Sequence, residues 1–343
     1  MPPAVDDRDA GTRPPPDIGI VVPMYNEREN VGPLVLAVQQ AMDGFGRSYQ
    51  LLLVDDGSSD GTTEAIIAAE QAYPNVQGVF LARNYGQSTA LQAGFDTTQA
   101  PIVVSLDGDL QNDPADIPWM VETLEKEDLD VLCGWRRNRQ DAPVRKAFSW
   151  LANRIICRLT HSEMHDFGCT LKVYRRDSLA LTRLYGELHR FLPALLGEVG
   201  ANIKEVSVTH NPRRHGRSKY GLDRTFRVIL DVFLIMFLRK YLQRALHLFG
   251  GLGLMCLIPG LLIWMYLTSL KFMMGEDIGD RPLLMVGTLL ILSGIILIGQ
   301  GLLGELVGRL VYTAGGRAQY HLKLPRKLHK LREAQTPTSA GEP

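Results

Sequence analysis

Val103-Val104-Ser105-Leu106-Asp107-Gly108-Asp109-Leu110-Gln111-Asn112-Asp113-Pro114 is the stretch whose reading decides the fold. Its β-branched, mostly apolar start reads as the end of a buried strand. It runs into Asp-Gly-Asp, a polar turn and then Asp113-Pro114, the pattern of a helix cap followed by its first residue. Two carboxylates therefore sit at a strand end, on backbone that a glycine allows to bend. In an open parallel sheet, ligands bind beyond the carboxyl ends of the strands. Acids this close repel one another unless a positive charge lies beside them. A magnesium-type cation carrying a diphosphate meets that need, since such ions take one or two carboxylates plus phosphate oxygens. The other reading of the stretch is a solvated Asp-Gly turn between strand and helix.

Working outward, short apolar runs alternate with helical spacing. Strands are expected at Ile18–Val22, Leu51–Val54, Val76–Leu81, Ile102–Leu106 and Val131–Trp135. Helices are expected at Val31–Met42, up to Ala72, at Ser88–Phe95 and at Asp113–Lys126. This pitch predicts an α/β protein with a doubly wound, mostly parallel sheet. The chain has 343 residues, enough for one α/β domain and something more. Its formal net charge is zero, so no global field draws it to nucleic acid, and no nucleic-acid partner is expected. The four cysteines, Cys133, Cys157, Cys169 and Cys256, form no C-x-x-C pair and read as reduced thiols. Residues 1–17 lack the apolar run of a secretory signal and read as a disordered tail.

The loops at the strand ends carry the chemistry. Pro23-Met24-Tyr25-Asn26-Glu27 stands where a dinucleotide fold would have its glycine fingerprint, which counts against a nicotinamide or flavin enzyme. Asp55 and Asp56 can accept from a base N–H or a ribose hydroxyl, and Tyr25 can support a nucleobase. The same acidic cluster also reads as a helix cap, with Ser58, Ser59 or Asp60 in that role.

Val22-Pro23-Met24-Tyr25-Asn26-Glu27, Val54-Asp55-Asp56-Gly57-Ser58, Arg83-Asn84-Tyr85-Gly86-Gln87 and Asp107-Gly108-Asp109-Leu110-Gln111 together resemble family 2 glycosyltransferases of the GT-A fold. Their order is most similar to the polyprenyl-phosphate branch, over about Ile18 to Lys323. Asp166-Phe167-Gly168-Cys169 and Tyr174-Arg175-Arg176 strengthen that likeness. The resemblance implies that Pro23, Tyr25, Glu27, Asp55, Asp56 and Asp107 line the nucleotide and its sugar. It implies that Asp109 and Gln111 hold Mg2+ or Mn2+ bridging the diphosphate, with Asp109 and Arg136 as the catalytic pair. On the acceptor side Arg136, Arg139 and Lys219 are expected to bind a lipid phosphate, since arginine forks suit phosphate oxygens. Such a phosphate is largely a dianion at neutral pH and needs no general base. His161, His165, His189 and His210 are accordingly read as surface or satisfied polar residues.

Beyond Tyr220 the composition changes. Residues 221–245 show apolar spacing of three and four with basic edges, the pattern of an amphipathic helix in a membrane interface. Residues 246–304 read as a transmembrane hairpin with spans at about 247–270 and 283–303, each long enough to cross hydrocarbon. Gly294, Gly299 and Gly301 suggest close helix contacts and a homo-oligomer, with a tetramer as one candidate. Basic residues flank both spans, through the tail at 305–343, so the catalytic domain at 18–220 and both termini are expected in the cytoplasm of a cell with this multi-pass protein in its inner or plasma membrane. The expected activity is inverting transfer of a sugar from a nucleotide-diphosphate sugar to an undecaprenyl or dolichyl phosphate. Rivals are a processive synthase, for which no Gln-x-x-Arg-Trp is found, a soluble-acceptor transferase, and a non-enzymatic membrane partner that keeps the fold.

Overall fold

The computed structural model describes residues 14–137, 164–180, 182–184, 186, 188–198, 200–212, 245–275, 277–279 and 281–314. These fall in two compact units, one before residue 229 and one after it. Arg139, Lys219, the other basic residues at 145–146 and 213–217, the segment expected as an amphipathic helix and the basic tail past 314 lie outside the described residues.

The first unit is built on seven strands: β1 (Ile18–Met24), β2 (Tyr49–Asp55), β3 (Val76–Phe80), β4 (Ile102–Ser105), β5 (Val131–Trp135), β6 (Lys172–Arg175) and β7 (Ile203–Ser207). Their order across the sheet is β3-β2-β1-β4-β6-β5-β7. Strand β1 pairs in parallel with β2 and β4, so the carboxyl ends of all three open on one edge. The helices are α1 (Arg28–Met42), α2 (Thr62–Ala72), α3 (Gln87–Thr97), α4 (Ile117–Lys126), α5 (Arg176–Leu179) and α6 (Leu192–Glu198), with 3-10 turns at Pro114–Asp116 and Leu188–Arg190.

One face of the sheet, including Ile18, Ile20, Val22, Leu53 and Val104, packs against Val31, Leu34 and Val38 of α1 and Ile117, Met120 and Leu124 of α4. Full burial stabilises each such side chain by roughly 1.5–3 kcal/mol. On the other face α3 comes so near β1 that a Cβ at Gly94 would lie 2.2 Å from Val21 Cγ1. Asp17, placed in the tail by the sequence reading, accepts from the Ser48 N–H and hydroxyl and so is tied to this unit.

The five expected strands are present. Strands β6 and β7 were not foreseen, and β6 runs antiparallel between β4 and β5. Its sequence, Lys-Val-Tyr-Arg, puts charge into a strand that is covered on both faces. Strand β7, Ile-Lys-Glu-Val-Ser, pairs in parallel with β5 and stays half-exposed at the sheet edge. Cys133 and Cys169 are buried free thiols, and burial pushes each up to about 12.

The second unit is a hairpin of α7 (Ala245–Met274) and α8 (Pro282–Ala314). Two stretches, Ala245–Met274 and Pro282–Val307, are long and apolar enough to cross a membrane, with mean hydropathies of 2.0 and 2.4. Thirty helical residues rise about 45 Å, more than the roughly 30 Å of hydrocarbon. The helices approach through glycines: a Cβ at Gly253 would stand 2.8 Å from the Gly294 carbonyl oxygen, and one at Gly260 2.9 Å from that of Gly287. Of the three glycines expected to make close helix contacts, Gly294 and Gly301 abut α7 of the same hairpin, and Gly299 faces open space. Trp264 Nε1 donates to Thr288 Oγ1 across the pair at 3.1 Å.

Candidate active site

The loops after β1 and β2 are laced together. Asn26, in the left-handed region at φ 52°, donates its N–H to Ser58 Oγ at 2.9 Å, and its side-chain oxygen accepts from the Ser59 N–H. The Glu27 N–H donates to Thr62 Oγ1, and Arg28 N–H to Asp60. Asp60 also accepts from the Thr62 N–H and hydroxyl at the start of α2, one residue before the cap position, which Gly61 and not an acid or serine occupies. Asp55 accepts from the Ser58 N–H at 3.0 Å and from the Thr63 hydroxyl. Asp56 accepts from the Tyr85 and Gly86 N–H groups at 2.7 and 2.9 Å, which fastens the loop after β3 to that after β2. Burial raises the Asp56 carboxyl against the pull of those two amides. Both acids are buried, yet a carboxylate offers about four acceptor sites, so each keeps capacity beyond these bonds. Gly57 sits at φ 68°, where a Cβ would strike the backbone of Arg83. Tyr25 is 40% exposed. Pro23 lies within β1 opposite Val54.

At the end of β4 the chain turns as its sequence predicts. Asp113 caps the turn that Pro114 opens, accepting from the Ala115 N–H at 3.0 Å. Leu110, a branched residue at φ 57°, stands between Asp109 and Gln111, and such backbone persists only where its surroundings hold it. Gly108 lies against Met24, whose sulfur would be 2.3 Å from a Cβ there. Asp107 accepts from Gln87 Nε2 at 2.7 Å. Its carboxyl is pushed up to about 7, first by the dense protein around it and then by the Asp109 charge, although the residue keeps partial access to solvent. Asp109 is buried and accepts from the Gln111 N–H at 3.2 Å. Among the described residues no three His, Cys, Asp or Glu side chains gather as a metal cage. The donors here are two carboxylates under mutual repulsion and one amide. That set fits a hard divalent cation that completes its shell with diphosphate oxygens.

The chain returns to this loop from β7. The Asn211 N–H donates to the Gln111 carbonyl at 2.7 Å and the Thr209 N–H to Asp116. The chain is thus held beside Gln111 at Asn211.

Arg136, just past β5, is the one expected acceptor-side residue among those described. Its Nε and one terminal nitrogen make a fork to Asp166 at 2.8 and 2.9 Å. The pairing with Asp166 outweighs burial and raises the guanidinium further, so it is a fixed cation. Asp107 lies within the field of both Arg136 and Arg190. His189 is buried, with Nδ1 2.7 Å from Ser88 Oγ. His165 stacks on Trp135, centroids 4.5 Å apart. Sequence reasoning missed Lys172, Arg190 and Glu205 as neighbours of the site, because none sits in a run of chemistry-bearing residues at a strand end; Gln87 stood in the Arg83–Gln87 motif but was given no role of its own.

A mostly parallel sheet with an antiparallel strand beside β4 and an Asp-Gly-Asp at the tip of β4 defines a GT-A-type fold. Among solved structures, glucosyl-3-phosphoglycerate synthase from Mycobacterium tuberculosis, crystallised with Mn2+ and uridine-diphosphate-glucose, matches with a TM-score of 0.51 at 19% identity, over 66% of this chain and 79% of that one. Mannosyl-3-phosphoglycerate synthase from Rubrobacter xylanophilus gives 0.54 at 15%, over 66% and 75%. The chain belongs to glycosyl transferase family 2, whose model matches residues 19–181, and it is a glycosyltransferase. It is 46% identical to dodecaprenyl-phosphate galacturonate synthase of Rhizobium johnstonii, over 89% of this chain and 91% of that protein. It is 35% identical to undecaprenyl-phosphate 4-deoxy-4-formamido-L-arabinose transferase of Aeromonas hydrophila, over 94% and 96%.

Proposed function

We propose that this glycosyltransferase moves a sugar from a nucleotide-diphosphate carrier to the phosphate of a membrane polyprenol, with inversion, yielding a lipid-linked monosaccharide. The observation that carries the reading is one chain combining the Asp107-Gly108-Asp109-Leu110-Gln111 loop at the end of β4 with a hairpin of two membrane-length helices. The two relatives, both named for polyprenyl phosphates, support the acceptor, and the more similar one supports galacturonate as the sugar to test first.

In this reading Pro23, Tyr25, Glu27, Asp55 and Asp56 line the nucleotide, with Tyr25 offering its ring to the base. Asp107, oriented by Gln87, faces the ribose or donor sugar. Asp109 and Gln111 hold Mg2+ or Mn2+. A bound divalent cation supplies charge neutralisation for the departing diphosphate, so that leaving group needs no proton. Arg136 draws in the acceptor phosphate and, with Arg139 and Lys219, shields its charge. The phosphate attacks the anomeric carbon on the face opposite the diphosphate, and positioning supplies what a base otherwise would. The positive flanks support a cytoplasmic catalytic unit and cytoplasmic termini on an inner or plasma membrane.

The test is to incubate membranes holding the full chain with radiolabelled nucleotide sugars, polyprenyl phosphate and Mg2+ or Mn2+, and to extract the lipids. Label in the lipid phase, dependent on divalent cation and on added polyprenyl phosphate, is expected. Label that appears only on water-soluble acceptors refutes the lipid reading.

A further inference from the structure

Four strands each give one residue to a row across the sheet: Ser105 of β4 faces Lys172 of β6, which faces Cys133 of β5, which faces Glu205 of β7. Residues in register on neighbouring strands share a face. Three of the four reach up to one short segment, residues 164–170. Ser105 Oγ donates to the Thr170 carbonyl at 2.6 Å. Lys172 Nζ donates to the Phe167 carbonyl at 3.3 Å. Glu205 accepts from the Asp166 N–H at 2.7 Å and from both the N–H and Nδ1 of His165, at 2.8 and 2.9 Å. The segment is thus fastened at its start, middle and end by three separate strands.

What the segment presents is Asp166. Its oxygens take the Arg136 fork, and Oδ1 also accepts from the Gly168 N–H at 3.0 Å. Lys172 is 3% exposed, and the Glu205 side chain is 8% exposed. Charges are rarely placed so deep unless each is paired or hydrogen-bonded, and replacing them with apolar residues is often neutral for stability. Stability alone is therefore a poor reason for this row. A guanidinium held by Nε and one terminal nitrogen keeps its other edge of N–H groups for a second anion, in one orientation.

We propose that Glu205, Lys172 and Ser105 are positioning residues, a clamp that fixes Asp166 and through it aims the Arg136 guanidinium at the acceptor phosphate. The inference rests on the reading of Arg136 as a phosphate-binding residue given above. The expected mark is confined to the acceptor. Glu205→Gln keeps the size of the side chain but turns an amide where two backbone N–H donors need a carboxylate.

The experiment uses the full chain in membranes, with initial rates against polyprenyl phosphate and, separately, against the nucleotide sugar. Glu205→Gln and Lys172→Met should raise KM for polyprenyl phosphate about ten-fold or more, in line with the cost of a small misplacement far from the chemistry. Their KM for the donor should stay near that of the wild type, and Lys172→Arg should restore much of the loss. Combined with Arg136→Ala, Glu205→Gln should add little, because both act through one guanidinium. If Glu205→Gln fails to fold, Lys172→Met and its rescue carry the same test. Unchanged acceptor KM in an active enzyme, or full additivity with Arg136→Ala, overturns the clamp alone. A wild-type enzyme that labels no polyprenyl phosphate overturns the proposed function and the clamp with it.

Discussion

At the edge formed by β1, β2 and β4, Asp55, Asp56 and Asp109 are held by backbone amides of their own or the next loop, and Asp107 by the Gln87 side chain. Asp56 takes two N–H groups of the loop after β3, and Asp55 one N–H of its own turn. Across β6, β5 and β7 the order is reversed: a cation is held by an acid, and the segment carrying that acid by side chains of β4, β6 and β7. On the proposed function, the first edge offers negative charge to a metal-bound diphosphate and the second offers positive charge to the acceptor phosphate. A transferase that joins two phosphate-bearing partners needs both signs within one site, kept from collapsing onto each other. The structure does this by pairing Arg136 with Asp166 rather than with Asp107, which stays in its field only.

The sharpest way to break the comparison is at the first edge. Asp109→Asn keeps an acceptor oxygen for the Gln111 N–H but loses the charge. Turnover should fall on the order of 10²–10³-fold, the usual cost of removing one group that stabilises transition-state charge. Response to divalent cation should fall with it, while the melting temperature without metal holds or rises, since repulsion with Asp107 is relieved. Activity that is still near wild type in excess chelator would contradict the role given to this carboxylate.

At the second edge, Arg136→Lys keeps the charge and loses the fork to Asp166. A lysine is not equivalent where two parallel bonds set an orientation. A loss of about 10²-fold in kcat/KM for polyprenyl phosphate is expected. Thermal stabilisation by the nucleotide sugar with Mn2+ should be kept. Equal damage to donor binding would show that the two edges do not work separately.

The two edges also differ in how far the sequence revealed them. Asp55, Asp56, Asp107 and Asp109 each follow an apolar strand directly, so strand periodicity located them within a residue or two. Cap chemistry at Asp113-Pro114 was legible for the same reason: the partners lie two residues apart. Arg136 was legible as a basic residue after β5 and Asp166 through its motif, but the pair lies 30 residues apart and rests, beyond that, on Glu205 of β7. No local pattern marks such pairs. Lys172 was invisible for a further reason. Alternation argues that the charged residue of a short strand points to water, yet β6 is covered on both faces and Lys172 is buried.

The hairpin offers a control on both edges. Gly253→Val puts branched carbons where a Cβ already meets Ile298 at 2.7 Å and the Gly294 carbonyl at 2.8 Å. Overpacking of this kind costs about 1–3 kcal/mol. A lower melting temperature for the full chain in detergent is expected, with donor stabilisation by the nucleotide sugar unchanged. A change in donor affinity instead would mean that the hairpin shapes the first edge.

The smallest effect is expected at the seam between the edges, where α3 meets the turn at Leu188–Arg190. Ser88 Oγ accepts from the His189 N–H at 3.2 Å and hydrogen-bonds to His189 Nδ1 at 2.7 Å. Burial holds the imidazole well below its ordinary 6.5, with the Arg190 charge second, so it stays neutral in the folded protein. The unfolded chain binds a proton there as pH falls below about 6.5, and the folded one does not. Stability from this group is therefore complete above that pH and drains away in acid. His189→Phe removes the titration and also a hydrogen-bond partner of the Ser88 hydroxyl, at a net cost of about 1 kcal/mol at neutral pH. Melting curves of the two proteins should converge as pH falls from about 7 toward 5, because only the wild type pays for keeping its imidazole uncharged. Parallel curves would mean that His189 takes up its proton without leaving the seam, and that the two edges tolerate a positive charge between them.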